Sequence, residues 1–294
     1  GDAIYQRNTS NVALFQQVFN NDIQTAASNG IHVQSGNSSQ IECNLIHDNG
    51  DSGVSIDGNT NVDGYLITKN SFENNESNAV DLHNGATGEG VSLNSTLCNN
   101  DTGTGANNNL ARPQINRAFL DGTILRLFGD YCATGDFTFE VYSASSGNGD
   151  LGSDGLNAGE GVLYLNSVTA VSGTDFDRTL TVTGLTEGDF ITALAQRTTT
   201  GGLGLLQDSS EFNANVEIEI NNKDWGDAPE SLGYNTLYSS NGPRHTVTSD
   251  PIYLGNIAPD VEFDGFGNGI DNNGNATEDE STNIADEDGV NGPA

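Results

Sequence analysis

Three stretches decide the fold of this chain: Ala13-Leu14-Phe15-Gln16-Gln17-Val18-Phe19-Asn20-Asn21-Asp22, Gln40-Ile41-Glu42-Cys43-Asn44-Leu45-Ile46-His47-Asp48-Asn49 and Leu66-Ile67-Thr68-Lys69-Asn70-Ser71-Phe72-Glu73-Asn74-Asn75. Aligned on Leu14, Ile41 and Ile67, and again on Phe19, Ile46 and Phe72, they recur 27 and then 26 residues apart. A second series runs Asp2-Ala3-Ile4-Tyr5, Asn29-Gly30-Ile31-His32-Val33, Ser52-Gly53-Val54-Ser55-Ile56 and Asn78-Ala79-Val80-Asp81-Leu82. Each member places apolar residues two apart, the strand period, after a Gly or Ala that permits a tight corner. A helical solenoid needs a 3.6-residue period over about ten residues or more, which these segments lack. Gln17, Asn44 and Asn70 take the same place in the alignment, where stacked amides can hydrogen-bond from one repeat to the next.

This pattern resembles the right-handed parallel β-helix repeats of the pectate-lyase-like superfamily, over residues 1–98. The resemblance implies stacked coils with an apolar interior; it leaves function open. Relatives that cleave polysaccharides carry clustered carboxylates, or Arg and Lys bases beside calcium, on one outward face. Here Arg7 and Lys69 are the only cations among residues 1–110, and they do not fall on equivalent positions. Asp57 and Asp81 lie near equivalent places of neighbouring coils, whereas Asp48, Asp51 and Asp63 scatter over turns. His32, His47 and His83 show no HxH or HExxH spacing and read as strand-surface or turn residues. No catalytic residue is assigned.

Composition sets the wider class. The chain has 294 residues, 37 Gly, no Met and a formal charge of −32 from 41 acidic and 9 basic residues. That charge excludes a nucleic-acid partner, since too few cations are present to neutralise phosphate, and it suits calcium, salt or a cationic surface. No window holds the 18 apolar residues of a membrane span, so no membrane insertion is expected. The absence of Met and a start inside a repeat predict sequence upstream of Gly1. Cys43, Cys98 and Cys132 show no metal-ligand spacing. Cys43 alternates in phase with Ile41 and is expected to point into a core, leaving Cys98 and Cys132 as the disulfide candidate.

A polar stretch, Asn99-Asn100-Asp101-Thr102-Gly103-Thr104-Gly105-Ala106-Asn107-Asn108-Asn109, reads as a linker over 99–110. Beyond it, alternating runs at 114–119, 123–128, 137–142, 162–171, 179–182, 190–196 and 212–220 predict about seven short strands and an immunoglobulin-like β-sandwich over 111–222. Four pieces in order resemble bacterial surface proteins in which a sandwich follows a β-helix. They are Ala111-Arg112-Pro113-Gln114-Ile115, Phe137-Thr138-Phe139-Glu140-Val141-Tyr142, Gly159-Glu160-Gly161 and Asp208-Ser209-Ser210-Glu211-Phe212. The resemblance implies presentation and assembly, not catalysis.

From Asp224 to Ala294 there are 14 acidic residues and a single cation, Arg244. Asp224-Trp225-Gly226-Asp227-Ala228-Pro229-Glu230-Ser231, Gly242-Pro243-Arg244-His245, Ala258-Pro259-Asp260-Val261-Glu262 and Asp286-Glu287-Asp288-Gly289-Val290 together resemble the GEVED-type module of secreted bacterial proteins, over 223–294. Within it, Asp264-Gly265-Phe266-Gly267-Asn268-Gly269-Ile270-Asp271-Asn272-Asn273-Gly274-Asn275 leads into Glu278-Asp279-Glu280. Oxygen ligands at alternate positions, with Gly allowing the chain to curl, are what a six- to eight-coordinate Ca2+ requires. The candidate ligands are Asp264, Asn268, Asp271, Asn273, Asn275, Glu278 and Glu280, with Asp224, Asp227, Asp286 and Asp288 in the flanking motifs. The loop departs from an EF-hand, with Ala276 where the loop Gly belongs and Thr282 in place of the closing Glu, so no helices are implied.

The sequence therefore predicts an all-β chain: β-helix coils, an immunoglobulin-like sandwich and an acidic, loop-rich calcium-binding module. The expected function is that of a non-catalytic, extracellular structural or adhesive protein of a bacterial cell surface. A solenoid with a bare strand edge needs a cover, so self-association into a filament or sheath, or contact with neighbouring surface proteins, is expected. The alternatives are a lyase or hydrolase acting on polysaccharide, or a carbohydrate-binding surface that uses Tyr5, Tyr65 or Trp225 as a platform.

Overall fold

A computed structural model describes residues 1–7, 16–36, 38–58, 62–83, 105–145, 150–151, 157–201, 204–220, 223–225 and 244–246. The chain divides into two compact units, residues 1–219 and 220–294. Among the described residues both contain strands, and no helix is long and apolar enough to cross a membrane.

Ten short strands open the first unit: β1 (Ile4–Arg7), β2 (Gln17–Phe19), β3 (Asp22–Gln24), β4 (Ile31–Ser35), β5 (Ser39–Glu42), β6 (Leu45–His47), β7 (Val54–Ile56), β8 (Tyr65–Thr68), β9 (Ser71–Glu73) and β10 (Val80–Leu82). They pair in parallel into three sheets, ordered β1-β4-β7-β10, β2-β5-β8 and β3-β6-β9. Each strand pairs with the one three elements later, so the chain visits every sheet once per circuit. Alternate residues point inward. Ile4, Ile31, Val54 and Val80 stack in register, as do Ile41 with Ile67 and Ile46 with Phe72. All but Ile4 are buried, and each such side chain contributes roughly 1.5–3 kcal/mol of burial. Small residues precede the first sheet's strands because the corner is crowded: a Cβ on Gly53 would lie 2.7 Å from Ala79 O and 2.8 Å from the Phe72 ring.

The corners explain two departures from the sequence reading. Asn20, Cys43 and Lys69 adopt left-handed φ of 56°, 55° and 50° between the second and third sheets. The strand alternation ends there, so Cys43 is a half-buried corner residue and not an inward one. Each corner is followed by an Asn whose amide repays the strain, which costs roughly 1–2 kcal/mol per residue. Asn21 donates to Asn44 Oδ1 (3.0 Å) and Asn44 donates to Asn70 Oδ1 (2.9 Å). The ladder thus begins at Asn21. Gln17 instead pairs with Gln40 on the outside, donating across 3.2 Å. Consequently Val18, not Leu14, aligns with Ile41, and Ile23, not Phe19, aligns with Ile46. Phe19 is 52% exposed. Apolar residues spaced four or five apart offered two registers, and the Asn corner selected the shorter one.

The stretch read as a linker is largely buried where it is described. Ala106–Asn109 forms a tight turn with Asn107 fully buried, its Nδ2 donating to Tyr65 O and Ser209 O and its Oδ1 accepting from Tyr65 N–H. Polar composition signals a linker only when water solvates the amides; here strand edges do.

The rest of the unit is antiparallel: β11 (Gln114–Asp121), β12 (Ile124–Ala144), a hairpin of β13 (Asp150–Leu151) and β14 (Asn157–Ala158), β15 (Gly161–Thr181), β16 (Phe190–Gly201), β17 (Gly204–Phe212) and β18 (Val216–Ile220). The six-stranded sheet has the order β15-β12-β11-β18-β16-β17 and curls until β12 also meets β16. Four expected short strands merge into two long ones, because β12 and β15 continue past turn-like residues through a shift in register between Tyr131 and Asp136. The expected 212–220 strand instead divides between the end of β17 and β18. Leu125, Leu127, Phe137, Phe139, Val141, Ile191 and Ile218 fill this sheet's own core. Tyr142, Leu194 and Phe212 belong to the core of the parallel sheets, with Phe212 edge-on to Phe72 at 5.7 Å.

That joint seals the last circuit. Free backbone groups of β8–β10 would cost about 1–3 kcal/mol each if left unpaired. Gly64 N–H donates to Asp208 Oδ1 (2.9 Å), Ile67 N–H to Ser209 Oγ (2.9 Å), Lys69 N–H to Glu140 Oε2 (3.1 Å) and Leu82 N–H to Glu211 Oε1 (3.0 Å). Glu160 Oε1 accepts from Asn75, at the end of a second amide pair in which Asn49 donates to Asn75. Among the described residues no strand pairs with the outer edges of β1, β2 and β3.

In the second unit, β19 (Lys223–Trp225) pairs with β20 (Arg244–Thr246), opposing Asp224 to His245.

Candidate functional site

Outward positions of the first parallel sheet carry Tyr5, His32, Ser55 and Asp81 in register, one per strand. The residues just before and after the strands add Asp2, Asn29, Asp57 and His83, and these four with His32, Ser55, Ser28 and Asp51 line a polar groove of about 330 Å³. Tyr5, 49% exposed, stands edge-on to His32 with ring centroids 5.2 Å apart.

Both ring nitrogens of His32 face carboxylates, Nδ1 lying 3.3 Å from Asp2 Oδ2 and Nε2 lying 2.9 Å from Asp57 Oδ1. Burial alone would raise the Asp2 pKa, but hydrogen bonds from Asn29, Ser28 and His32 outweigh it and hold the carboxyl below its usual range. Asp81 sits opposite Ser55, two positions before the place equivalent to Asp57, and each carboxylate faces a different histidine.

Ser55, His83 and Asp81 contain the residue types of a nucleophilic triad without its wiring. Ser55 Oγ is 3.0 Å and Asp81 Oδ2 is 2.9 Å from the same nitrogen, His83 Nε2. A triad needs the acid on the opposite ring nitrogen, so that the imidazole can take the hydroxyl proton. Asp81 is 1% exposed, and its contact with His83 lacks hydrogen-bond alignment.

A second histidine cluster lies on the third sheet. His47 places Nε2 3.0 Å from Asp22 Oδ1 and Nδ1 2.6 Å from Asp48 Oδ2. The Asp48 hydrogen bond raises the His47 pKa above its usual value; burial opposes this and Asp22 reinforces it. Linear spacing hides these clusters, but the repeat itself encodes them. Asp22 and His47, and His32 and Asp57, each stand 25 residues apart, two more than the 23 that separate paired residues of these circuits.

Of the candidate calcium ligands, Asp227, Asp264, Asn268, Asp271, Asn273, Asn275, Glu278, Glu280, Asp286 and Asp288 lie outside the described residues, and Asp224 is described only by its place in β19. Among the described residues no three His, Cys, Asp or Glu side chains are grouped to hold a metal. Cys98 also lies outside them, and Cys132 is described only as part of β12. Cys43 is a free thiol whose pKa is raised, by burial first and then by Glu42. Compared with known proteins, the chain matches no family model and no curated protein.

Proposed function

We propose that this chain is a non-catalytic structural or adhesive element of a bacterial cell surface, in which a right-handed parallel β-helix is closed at one end by a sandwich-like β-domain. The observation that carries this reading is the sealed joint. Glu140, Asp208, Ser209 and Glu211 are buried and spend their oxygens on free strand N–H groups of the last circuit. Such a joint makes a stiff element that transmits load without a hinge, as a spacer or stalk must. Right-handed crossover is the general rule for parallel strands, which supports the hand of the helix. In the same reading, the acidic segment from residue 223 is a GEVED-type module that binds Ca2+, and contacts are made with other copies or with neighbouring surface proteins.

Two measurements test this together. Light scattering and thermal melting of the purified chain, with calcium and with chelator, are expected to give particles larger than one chain and a higher thermal midpoint in calcium. Incubation with acidic polysaccharides is expected to release no unsaturated or reducing ends. Product formation that disappears in Asp57→Asn or Asp81→Asn would overturn the structural reading in favour of a polysaccharide-active enzyme working from the groove.

A further inference from the structure

We propose that His32 and His47 are proton-operated clasps, each bridging two carboxylates as an imidazolium and fastening the first circuit to the second, and each letting go when it loses a proton. Four distances carry the argument: 3.3 and 2.9 Å at His32, 2.6 and 3.0 Å at His47. A carboxylate can only accept, and a neutral imidazole has one N–H and one lone pair. The neutral ring therefore satisfies one partner and turns its lone pair toward the other. Only the doubly protonated ring donates to both.

The clasps act on the same circuit from different sheets. Asp2 precedes β1 and Asp22 opens β3, while His32 lies on β4 and His47 on β6. The groups facing each ring leave the carboxylates in control. Around His32 stand Asp2, the Tyr5 ring on β1, Ser55 on β7, and Asp57, with Asp51 and His83 lining the same groove. Around His47 stand Asp22 and Gln24 of β3, Asp48, and Glu73 opposite it on β9. No cation other than the neighbouring His83 appears in either set. Loss of both protons would leave at least four carboxylates holding the circuit without a counter-charge, at the edge where β1 and β3 have no outer partner among the described residues. Loosening those strands bares the edges of β4 and β6, which can then template another strand.

Hydrogen exchange on the full chain at pH 5 and pH 8, corrected for the intrinsic rate, tests this. The amides of Ala3 and Ile4, which donate to Asn29 O and Gly30 O, are expected to lose protection severalfold at pH 8 relative to pH 5. The amides of Ile31 and Val54, one and two circuits further in, should keep theirs, reporting that the fold persists. In the double variant His32→Gln with His47→Gln, protection at Ala3 and Ile4 should no longer depend on pH. Nitrogen-15 spectra should show both ring nitrogens of each histidine protonated at pH 5. Protection that ignores pH in the native chain, a pH dependence that survives the double variant, or a neutral ring at pH 5 overturns the proposal.

Discussion

At one end of the parallel sheets, Gly64, Ile67, Lys69 and Leu82, in or beside β8 and β10, give their backbone N–H groups to Asp208, Ser209, Glu140 and Glu211, all buried beneath the curled sheet. At the other end, β1 and β3 are held by ordinary ladder bonds, by the Asn21 end of the amide ladder and by histidine–aspartate contacts with water on one side. The two ends of the described circuits are thus held in two ways. Where packing and hydrogen bonds coincide, the edge behaves as interior. Where charge does the fastening, it answers to pH and salt. The acids at the sealed end lie against amides in low dielectric, while those at the other end are screened within about a Debye length.

The contrast can be broken most severely at the joint. Phe212→Ala removes a ring packed between Phe72 and Tyr142, and is expected to cost about 3–5 kcal/mol and to lower the denaturation midpoint of the parallel and antiparallel parts together. Separate transitions for the parallel and antiparallel parts of the native chain would contradict a single cooperative unit. Next in size, Asn44→Ala cuts the ladder at its middle rung, leaving the Asn21 N–H without its acceptor and Val18 O without its donor; a loss of about 2–3 kcal/mol is expected by urea titration.

A pH series then sharpens the difference between the ends. Burial raises the carboxyl pKa of Glu160 and of Asp63, the latter also through Asp208, and the Asp48 bond raises that of His47. Each raised group gives a contribution fully present below its unfolded pKa and lost as pH climbs through the folded one. For the two carboxyls that window starts near their ordinary values and for His47 above about 6.5. Asp2 runs the other way, its contribution vanishing as pH falls through its lowered pKa. Thermal midpoints should therefore fall as pH rises from about 5 to 8, with the part above 6.5 reduced in His47→Gln. The smallest effect belongs to Tyr5→Ala: the ring is half exposed and touches His32 edge-on, so a change of about 0.5 kcal/mol or less is expected by the same titration.

Much of the parallel region was legible because each residue's role repeats. The columns Ile4-Ile31-Val54-Val80 and Ile41-Ile67 stand as read from spacing. The first circuit was misaligned at Leu14 because two apolar registers were open, and only the left-handed corner at Asn20 and the Asn21 amide distinguish them. Strand boundaries in the antiparallel sheet were blurred for a related reason. Residues that usually turn are carried through β12 by pairing with β15, a tertiary circumstance. The surroundings of His32 were passed over because a motif search runs along the chain, whereas its partners Asp2 and Asp57 stand on the circuits either side.

What the sequence determined by itself was the strand period, the repeat length and the small residues at crowded corners, all of which follow from side-chain size and alternation within a few residues. The peptides around Glu140, Glu160 and Asp208–Phe212 were visible as motifs, yet their work was not. Only the tertiary structure decided that these acids would be buried against the N–H groups of strands some 70 to 144 residues away. Nothing local distinguishes a carboxylate meant for water from one meant for a strand edge; that depends on which backbone donors the fold leaves without a partner.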